Sequence, residues 1–228
     1  MNLRDFSYPK GNPSLLSADK NHLEEEVYKA AKAGAYFIHI DVMDGKFVSN
    51  TSFGIDVSRK IRDPRLGHPF LKDTHLMVIN PLDVLNDYSL VSNIVTFHIE
   101  ATNNKEEVLC GASIIKNNHA FAGLAINPET PLETIYPYLS SFDLILLMTV
   151  HPGKGGQPFD PHGLERISQL RKELNRLSNP PILEIDGGVN EKTAKSAVAK
   201  GAELLVAGSY LYGHNDFAKR FALLEGKE

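Results

Sequence analysis

Polar and apolar positions alternate most sharply over 36–45, Tyr-Phe-Ile-His-Ile-Asp-Val-Met-Asp-Gly. An aromatic and β-branched run with a polar residue at every second position reads as a strand, and Asp44-Gly45 closes it as a turn. Residues two apart share one face of a strand, so His39 and Asp41 project together, in line with Phe37 and Met43. A buried imidazole beside a buried carboxylate is costly unless the two are paired or bind a metal. Two readings stand at this point, a satisfied core His–Asp pair or a ligand site.

The remaining pattern repeats a strand and then a helix. A first strand is expected over 14–16, after the Gly11-Asn12-Pro13 breaker. A helix capped by Ser17 or Asp19 then runs through Leu23, Val27, Ala30 and Ala31 to a stop at Gly34. After the 36–43 strand and a polar loop, a helix is expected near 55–61. A third strand covers 73–78, followed by a helix opening at Asn80-Pro81 with Leu82, Leu85 and Tyr88 facing inward. The fourth strand covers 93–98, and its helix covers 105–116, with Asn117-Asn118 suited to a left-handed end. The fifth strand, 121–126, leads through Asn127-Pro128 to a helix carrying Leu132, Ile135 and Leu139.

The sixth segment, 144–148, is continuously apolar, as suits a parallel strand covered on both faces. A glycine loop from His151 to Gln157 precedes a long amphipathic helix through Leu164, Ile167, Leu170 and Leu174, broken by Pro180-Pro181. The seventh strand is 182–185 and the eighth 204–207, with helices expected over 193–200 and 216–224. Eight such alternations without a linker predict one (β/α)8 barrel domain over 1–228, a TIM barrel. An open doubly wound sheet is disfavoured because no Gly-x-Gly-x-x-Gly follows the first strand.

Composition narrows the function classes. The chain has 228 residues, 42% of them apolar and 23% charged, with a formal net charge of −4. A mildly acidic chain without a basic cluster argues against nucleic-acid and membrane-surface binding. No apolar run reaches the roughly 20 residues of a membrane span. The polar start, 1–11, lacks a signal-peptide core, and the one cysteine, Cys110, fits a reducing compartment. The expected location is the cytoplasm. Cys110 reads as a small helix residue, since nothing nearby would activate a thiol.

In a barrel of this kind the chemistry sits at the C-terminal ends of the strands. Ser14, His39, Asp41, His75 and Asp186 all fall there, and two histidines with two carboxylates suit a divalent metal such as zinc or iron. Beyond Met1, the only methionines are Met43, Met77 and Met148, at the ends of the second, third and sixth strands. They suggest an apolar cap that excludes water from a substrate. Gly153 to Gly156, Gly187-Gly188 and Gly208-Ser209 follow the last three strands, where barrels often bind phosphate through backbone N–H groups.

Seven segments together resemble the ribulose-phosphate 3-epimerase family. They are Pro13 to Asp19, His39 to Gly45, His75 to Val78, Met148 to Gly153, Gly155 to Gln157, Asp186 to Gly188 and Ala207 to Ser209. The resemblance covers nearly the whole chain. It implies a metal-dependent isomerase of the pentose phosphate pathway that interconverts D-ribulose 5-phosphate and D-xylulose 5-phosphate. By position it implies His39, Asp41, His75 and Asp186 as metal ligands. The ion expected is one divalent metal per subunit, zinc first, with iron, manganese or cobalt as alternatives. It implies substrate contacts from Ser14 and His75, and a phosphate site at Gly155, Gly156, Gly188, Gly208 and Ser209, with Gly153, Lys154 and Gly187 in the same loops.

Epimerisation at C3 removes a proton from one face and returns one to the other. Asp41 and Asp186, from distant strands, are therefore assigned as base and acid, exchanging roles in reverse through a cis-enediolate. The small-molecule partner is a ketose phosphate, and the resemblance also suggests a homo-oligomer. The alternative is a 3-epimerase of a six-carbon ketose phosphate of the allulose 6-phosphate type. Three positions depart from the family pattern. Lys154 replaces an aromatic residue, and Lys46 and Ser49 replace His and Pro in the loop after the second strand. His98 is expected in the core or behind the ligands, and His119, His151, His162 and His214 in loops.

Overall fold

The alternating run forms strand β2, Phe37–Met43, with all seven residues buried. Its two faces enter different interiors. Ile38, Ile40 and Val42 pack with Val27, Ala30 and Ala31 of the first helix, in the layer between sheet and helices. Phe37 instead packs with Leu71, Ile94, Leu144, Ile182 and Leu204, one residue from each of five other strands. Inward-facing residues from several strands meet in this way only inside a closed barrel.

The computed structural model describes residues 2–64 and 66–227. The strands are β1 Lys10–Pro13, β2, β3 Leu71–Met77, β4 Ile94–His98, β5 Phe121–Ile126, β6 Leu144–Met148, β7 Ile182–Asp186 and β8 Leu204–Ala207. All are parallel, in the order β1-β8-β7-β6-β5-β4-β3-β2. The ring closes between β1 and β2 through a single parallel bridge, Ser14 to His39. Helices α1 Leu23–Lys32, α2 Ile55–Lys60, α3 Leu82–Ser89, α4 Lys105–Asn117, α5 His162–Leu174, α6 Glu191–Ala199 and α7 Phe217–Leu224 surround it. The N-terminal segment closes the lower end: Leu3 joins the interior cluster, and Phe6 packs on the Phe37 ring at 5.0 Å. No helix among the described residues is long and apolar enough to cross a membrane.

Several local expectations need correction. The first strand lies at Lys10–Pro13, four residues earlier than expected, where it pairs in register with β8. Residues 15–17, the first two of them expected in that strand, form a 3-10 turn whose cap is Ser14, its hydroxyl accepting from Leu16 N. Neither Ser17 nor Asp19 caps α1; Asp19 instead holds Asn21 N and His22. The α-helix expected after β5 is replaced by two 3-10 helices, Leu132–Thr134 and Tyr136–Ser141. Pro137, inside the expected helix, lacks the N–H that an α-helix would use there, which favours short, tight turns. The left-handed residue after α4 is His119, with φ +60, rather than Asn117 or Asn118. Cys110 is exposed on α4.

Phe37 is fully buried at the centre of the lower plug. Phe37→Ala is expected to cost about 3–5 kcal/mol, read as a lowered urea midpoint at unchanged slope. A loss below about 1 kcal/mol would show that the bore is not close-packed at this level.

Candidate metal centre and substrate cavity

Strand register assembles the centre. β2 pairs with β3 so that His39 faces Asp73, Asp41 faces His75 and Met43 faces Met77. On the other side of the bore β6 sets Met148 beside Asp186. Because side chains alternate, these pairs stack in tiers up the inside of the barrel. The lowest tier is the apolar plug around Phe37. Above it comes a polar tier, then Asp41, His75 and Asp186 with Met148 level with the last, and finally Met43 and Met77.

Ligating atoms of His39, Asp41, His75 and Asp186 all lie within 4.8 Å of one another. Asp41 Oδ1 stands 3.5 Å from His39 Nε2 and 3.5 Å from His75 Nδ1. Asp186 Oδ2 is 3.9 Å from His75 Nδ1. Both of those histidine nitrogens are buried and lack a hydrogen-bond partner among the described residues. Buried polar atoms left without a partner are costly. Two of them, aimed at one small gap shared with two carboxylates, fit a divalent cation as their missing partner. Two imidazole nitrogens and two carboxylate oxygens are a donor set suited to zinc and related ions.

Charge is distributed unequally over the centre. Burial alone would push Asp41 up, but His39 and His75 outweigh it and hold its pKa far below the usual carboxylate range. Its second oxygen accepts a 2.7 Å hydrogen bond from Ser14 Oγ, which leaves Oδ1 facing the histidines. Asp186 goes the other way: burial, reinforced by the charge of Asp41, pushes it up to about 7. Burial also works to lower His39, yet Asp41 and Asp73 raise it well above the usual value. His75 is lowered, chiefly by burial, and burial pushes His98 down to about 4.

Above the centre opens a cavity lined by Ser14, Asp41, Asp186, Met43, Met77 and Met148, and by the glycine loops. Gly153, Lys154, Gly155, Gly156, Gly187, Gly188, Gly208 and Ser209, assigned to substrate from the sequence, all border it. His39 and His75 do not; both are fully buried beneath its floor. Gly188 has φ +66, and a Cβ there would lie 2.1 Å from Phe159 N, so no side chain fits. At Gly208 a Cβ would fall 2.6 Å from Ser17 Oγ. Thr149 Oγ1 ties β6 to the next loop by donating to the carbonyls of Asp186 and Gly187. Gln157 Nε2 braces the glycine loop through the His151 and Lys154 carbonyls. Asp44 forms the expected turn, accepting from Lys46 N, Phe47 N and Ile79 N.

Sequence reasoning missed the polar tier below the metal donors. Asn12, Asp73 and Glu184 are fully buried. Asn12 Nδ2 donates to Asp73 Oδ2 at 2.7 Å and to Glu184 Oε1 at 2.8 Å. Burial, with the charge of Asp73, raises Glu184 well above the usual carboxylate range. A signal was present: Asp73 and Glu184 lie two residues before His75 and Asp186, hence on the same strand faces. His98 lies behind His75, as expected, with the two Nε2 atoms 2.8 Å apart.

Comparison with known proteins agrees with this architecture. A model of the ribulose-phosphate 3 epimerase family matches residues 10–212. Ribulose-phosphate 3-epimerase of Escherichia coli (strain K12) is 38% identical over 209 residues, covering 91% of this chain and 90% of its own. The enzyme of the same name from Bacillus subtilis is 37% identical over 221 residues, covering 95% and 98%. That of Schizosaccharomyces pombe is 38% identical over 203 residues, covering 88% and 85%. Among solved structures, KGPDC from Streptococcus mutans superposes with a TM-score of 0.68 at 11% identity, covering 96% of this chain and 97% of its own. At that identity it speaks for the barrel alone.

The charge states predict how metal binding responds to pH. In the metal-free protein His39 holds its proton above the usual range and Asp186 titrates near 7. An ion needs the imidazole nitrogen of His39 bare and one oxygen of Asp186 free of its proton, the other oxygen staying able to carry one, so binding releases protons and tightens as pH rises. Zinc affinity from chelator competition should therefore climb between about pH 6 and pH 8, with proton release visible calorimetrically in buffers of different ionisation enthalpy. A flat profile would overturn the assignment of these groups as ligands.

Proposed function

The chain belongs to the ribulose-phosphate 3-epimerase family, and on that footing we propose that it interconverts D-ribulose 5-phosphate and D-xylulose 5-phosphate by passing the C3 proton between Asp41 and Asp186. One observation supports this reading above the others. Two carboxylates on one cavity floor are driven in opposite directions, Asp41 far down and Asp186 up to about 7. Titratable groups whose environments push their pKa values apart can serve as a base and an acid side by side.

Asp41 begins ionised, oriented by Ser14 Oγ, and takes the C3 proton from one face of the ketose. Asp186, on β7, holds the proton that is returned to the other face. The reverse reaction exchanges the two roles, and an enediolate of the substrate lies between them. A carboxylate is a weak base toward a C–H bond. A divalent ion held by His39, Asp41, His75 and Asp186 would supply Lewis-acid polarisation of the ketone when bound. Met43, Met77 and Met148, each at most 6% exposed, form the apolar wall that keeps water from the reacting carbon. The phosphate end lies against Gly155, Gly156, Gly188, Gly208 and Ser209, where backbone N–H groups can approach an anion closely.

Zinc is the proposed ion, on the strength of the two-nitrogen, two-oxygen donor set; metal analysis of the isolated protein distinguishes it from iron, manganese and cobalt. The relatives' shared name specifies a ribulose phosphate, and the six-carbon alternative has no observation in its favour.

Incubation with ribulose 5-phosphate in deuterated water should place deuterium at C3 as xylulose 5-phosphate forms. Absence of exchange with any ketose phosphate would reject the reaction. Asp41→Asn and Asp186→Asn should each lower kcat by at least about 100-fold, and near-native turnover in either would sink the two-carboxylate scheme. Lys154 is exposed at the cavity edge. Lys154→Ala should raise KM several-fold with kcat unchanged, and an unaltered KM would remove the lysine from phosphate binding.

A further inference from the structure

Behind each histidine of the donor set stands a buried partner that proton transfer does not use. His39 Nδ1 lies 2.6 Å from Asp73 Oδ2. A carboxylate oxygen there accepts, so in the neutral ring that an ion requires the proton sits on Nδ1 and Nε2 is left bare toward the centre. Asp73 is fixed in turn: it faces His39 in the β2–β3 register, and Asn12 Nδ2 binds the same oxygen while also holding Glu184. Four strands, β1, β2, β3 and β7, therefore combine to orient one imidazole.

His75 has the opposite arrangement. Its Nε2 meets His98 Nε2 at 2.8 Å, and His98 Nδ1 meets Glu100 Oε2 at 3.1 Å. Glu100 accepts the Nδ1 proton of His98, which leaves His98 Nε2 as the acceptor for a proton on His75 Nε2. His75 Nδ1 is then the bare nitrogen, and it is the one facing Asp41 and Asp186. Glu100 is itself held by Asn127 N and Thr130 Oγ1, and Arg166 Nη2 clamps the carbonyls of both residues. The ring of Phe47 covers His98 with 4.8 Å between centroids.

We propose that Asp73, and His98 with Glu100, are positioning residues that fix opposite tautomers on His39 and His75 and thereby set the affinity of the centre for its divalent ion. The inference rests on the metal centre of the functional reading above, and not on the identity of the sugar. A carboxylate behind a ligating imidazole aligns the ring and increases its basicity. Asp73 acts directly on His39, whereas Glu100 acts through an intervening ring. Loss of Asp73 should therefore weaken binding more.

The test is zinc affinity by competition with a chromophoric chelator, without substrate. Asp73→Asn should raise the zinc Kd about 10–100-fold, and Glu100→Gln about 3–10-fold. Glu100 lies at the partly exposed end of its relay, so Glu100→Gln carries the test if Asp73→Asn does not fold. In the zinc-loaded protein with 15N-labelled histidine, His39 should keep its proton on Nδ1 and His75 on Nε2. Folded variants that bind zinc within about twofold of the parent, or the reverse tautomer on either ring, would overturn the inference. A parent that binds no divalent ion overturns the metal centre and this inference together. A parent that binds zinc but leaves ketose phosphates unchanged overturns only the epimerase reading.

Discussion

Charge buried inside a barrel must be answered by other buried groups, and the structure depends on how this bore answers it. His39, Asp41, Asp73, His75 and Glu184 are all 3% exposed or less. Removing an isolated ion from water costs several kcal/mol even after relaxation. No single strand could carry these groups alone. The parallel register sets His39 against Asp73 and Asp41 against His75, and Asn12 from β1 joins Asp73 to Glu184 from β7. His39 is countered by Asp41 on its own strand and by Asp73 across the strand boundary, while burial and Asp73 hold the proton on Glu184, and the relations between strands exist only when the ring of strands is complete. Closure therefore matters to chemistry as much as to folding, and Ser14, at the seam between β1 and β2, takes part in both.

Vertical order in the bore follows from the same constraint. An apolar plug around Phe37 seals the lower end, so the polar tier above it cannot reach water from below. The polar tier supports the histidines, whose free nitrogens point up into the centre. Above them Met43 and Met77 restore an apolar environment at the floor of the cavity. Asp41 and Asp186 are thus held between two apolar layers. Desolvation explains why Asp186 rises, and nearby imidazoles explain why Asp41 does not. The glycine loops lie farther out, where backbone N–H groups and close packing against Phe159 and Ser17 replace side chains altogether.

Much of this is legible in the amino-acid sequence. Period-two alternation over 36–45 exposed the shared face of His39 and Asp41, and eight alternations of strand and helix pointed to the barrel. Glycines after three adjacent strands marked the loops that border the cavity. Errors fell where local pattern competes with tertiary pairing. The first strand was displaced because the polar segment Lys10–Pro13 owes its strand to β8 rather than to its own apolar content. The helix expected after β5 yielded to Pro137. Asp73 and Glu184 escaped notice because an inward-facing acid in a strand looks the same in sequence whether it is countered or not.

By itself, the sequence determined most of the element types, the shared face of His39 and Asp41 and the residues available at the strand ends, because those depend on periodicity within one segment. Only the tertiary structure decided which of these residues meet. It set the register between β2 and β3, brought Asp186 across the bore to His75, and directed His39 through Nε2 and His75 through Nδ1 toward one gap. Those are relations between strands far apart in the chain, governed by barrel closure and by the cost of burying charge, and no local pattern encodes them.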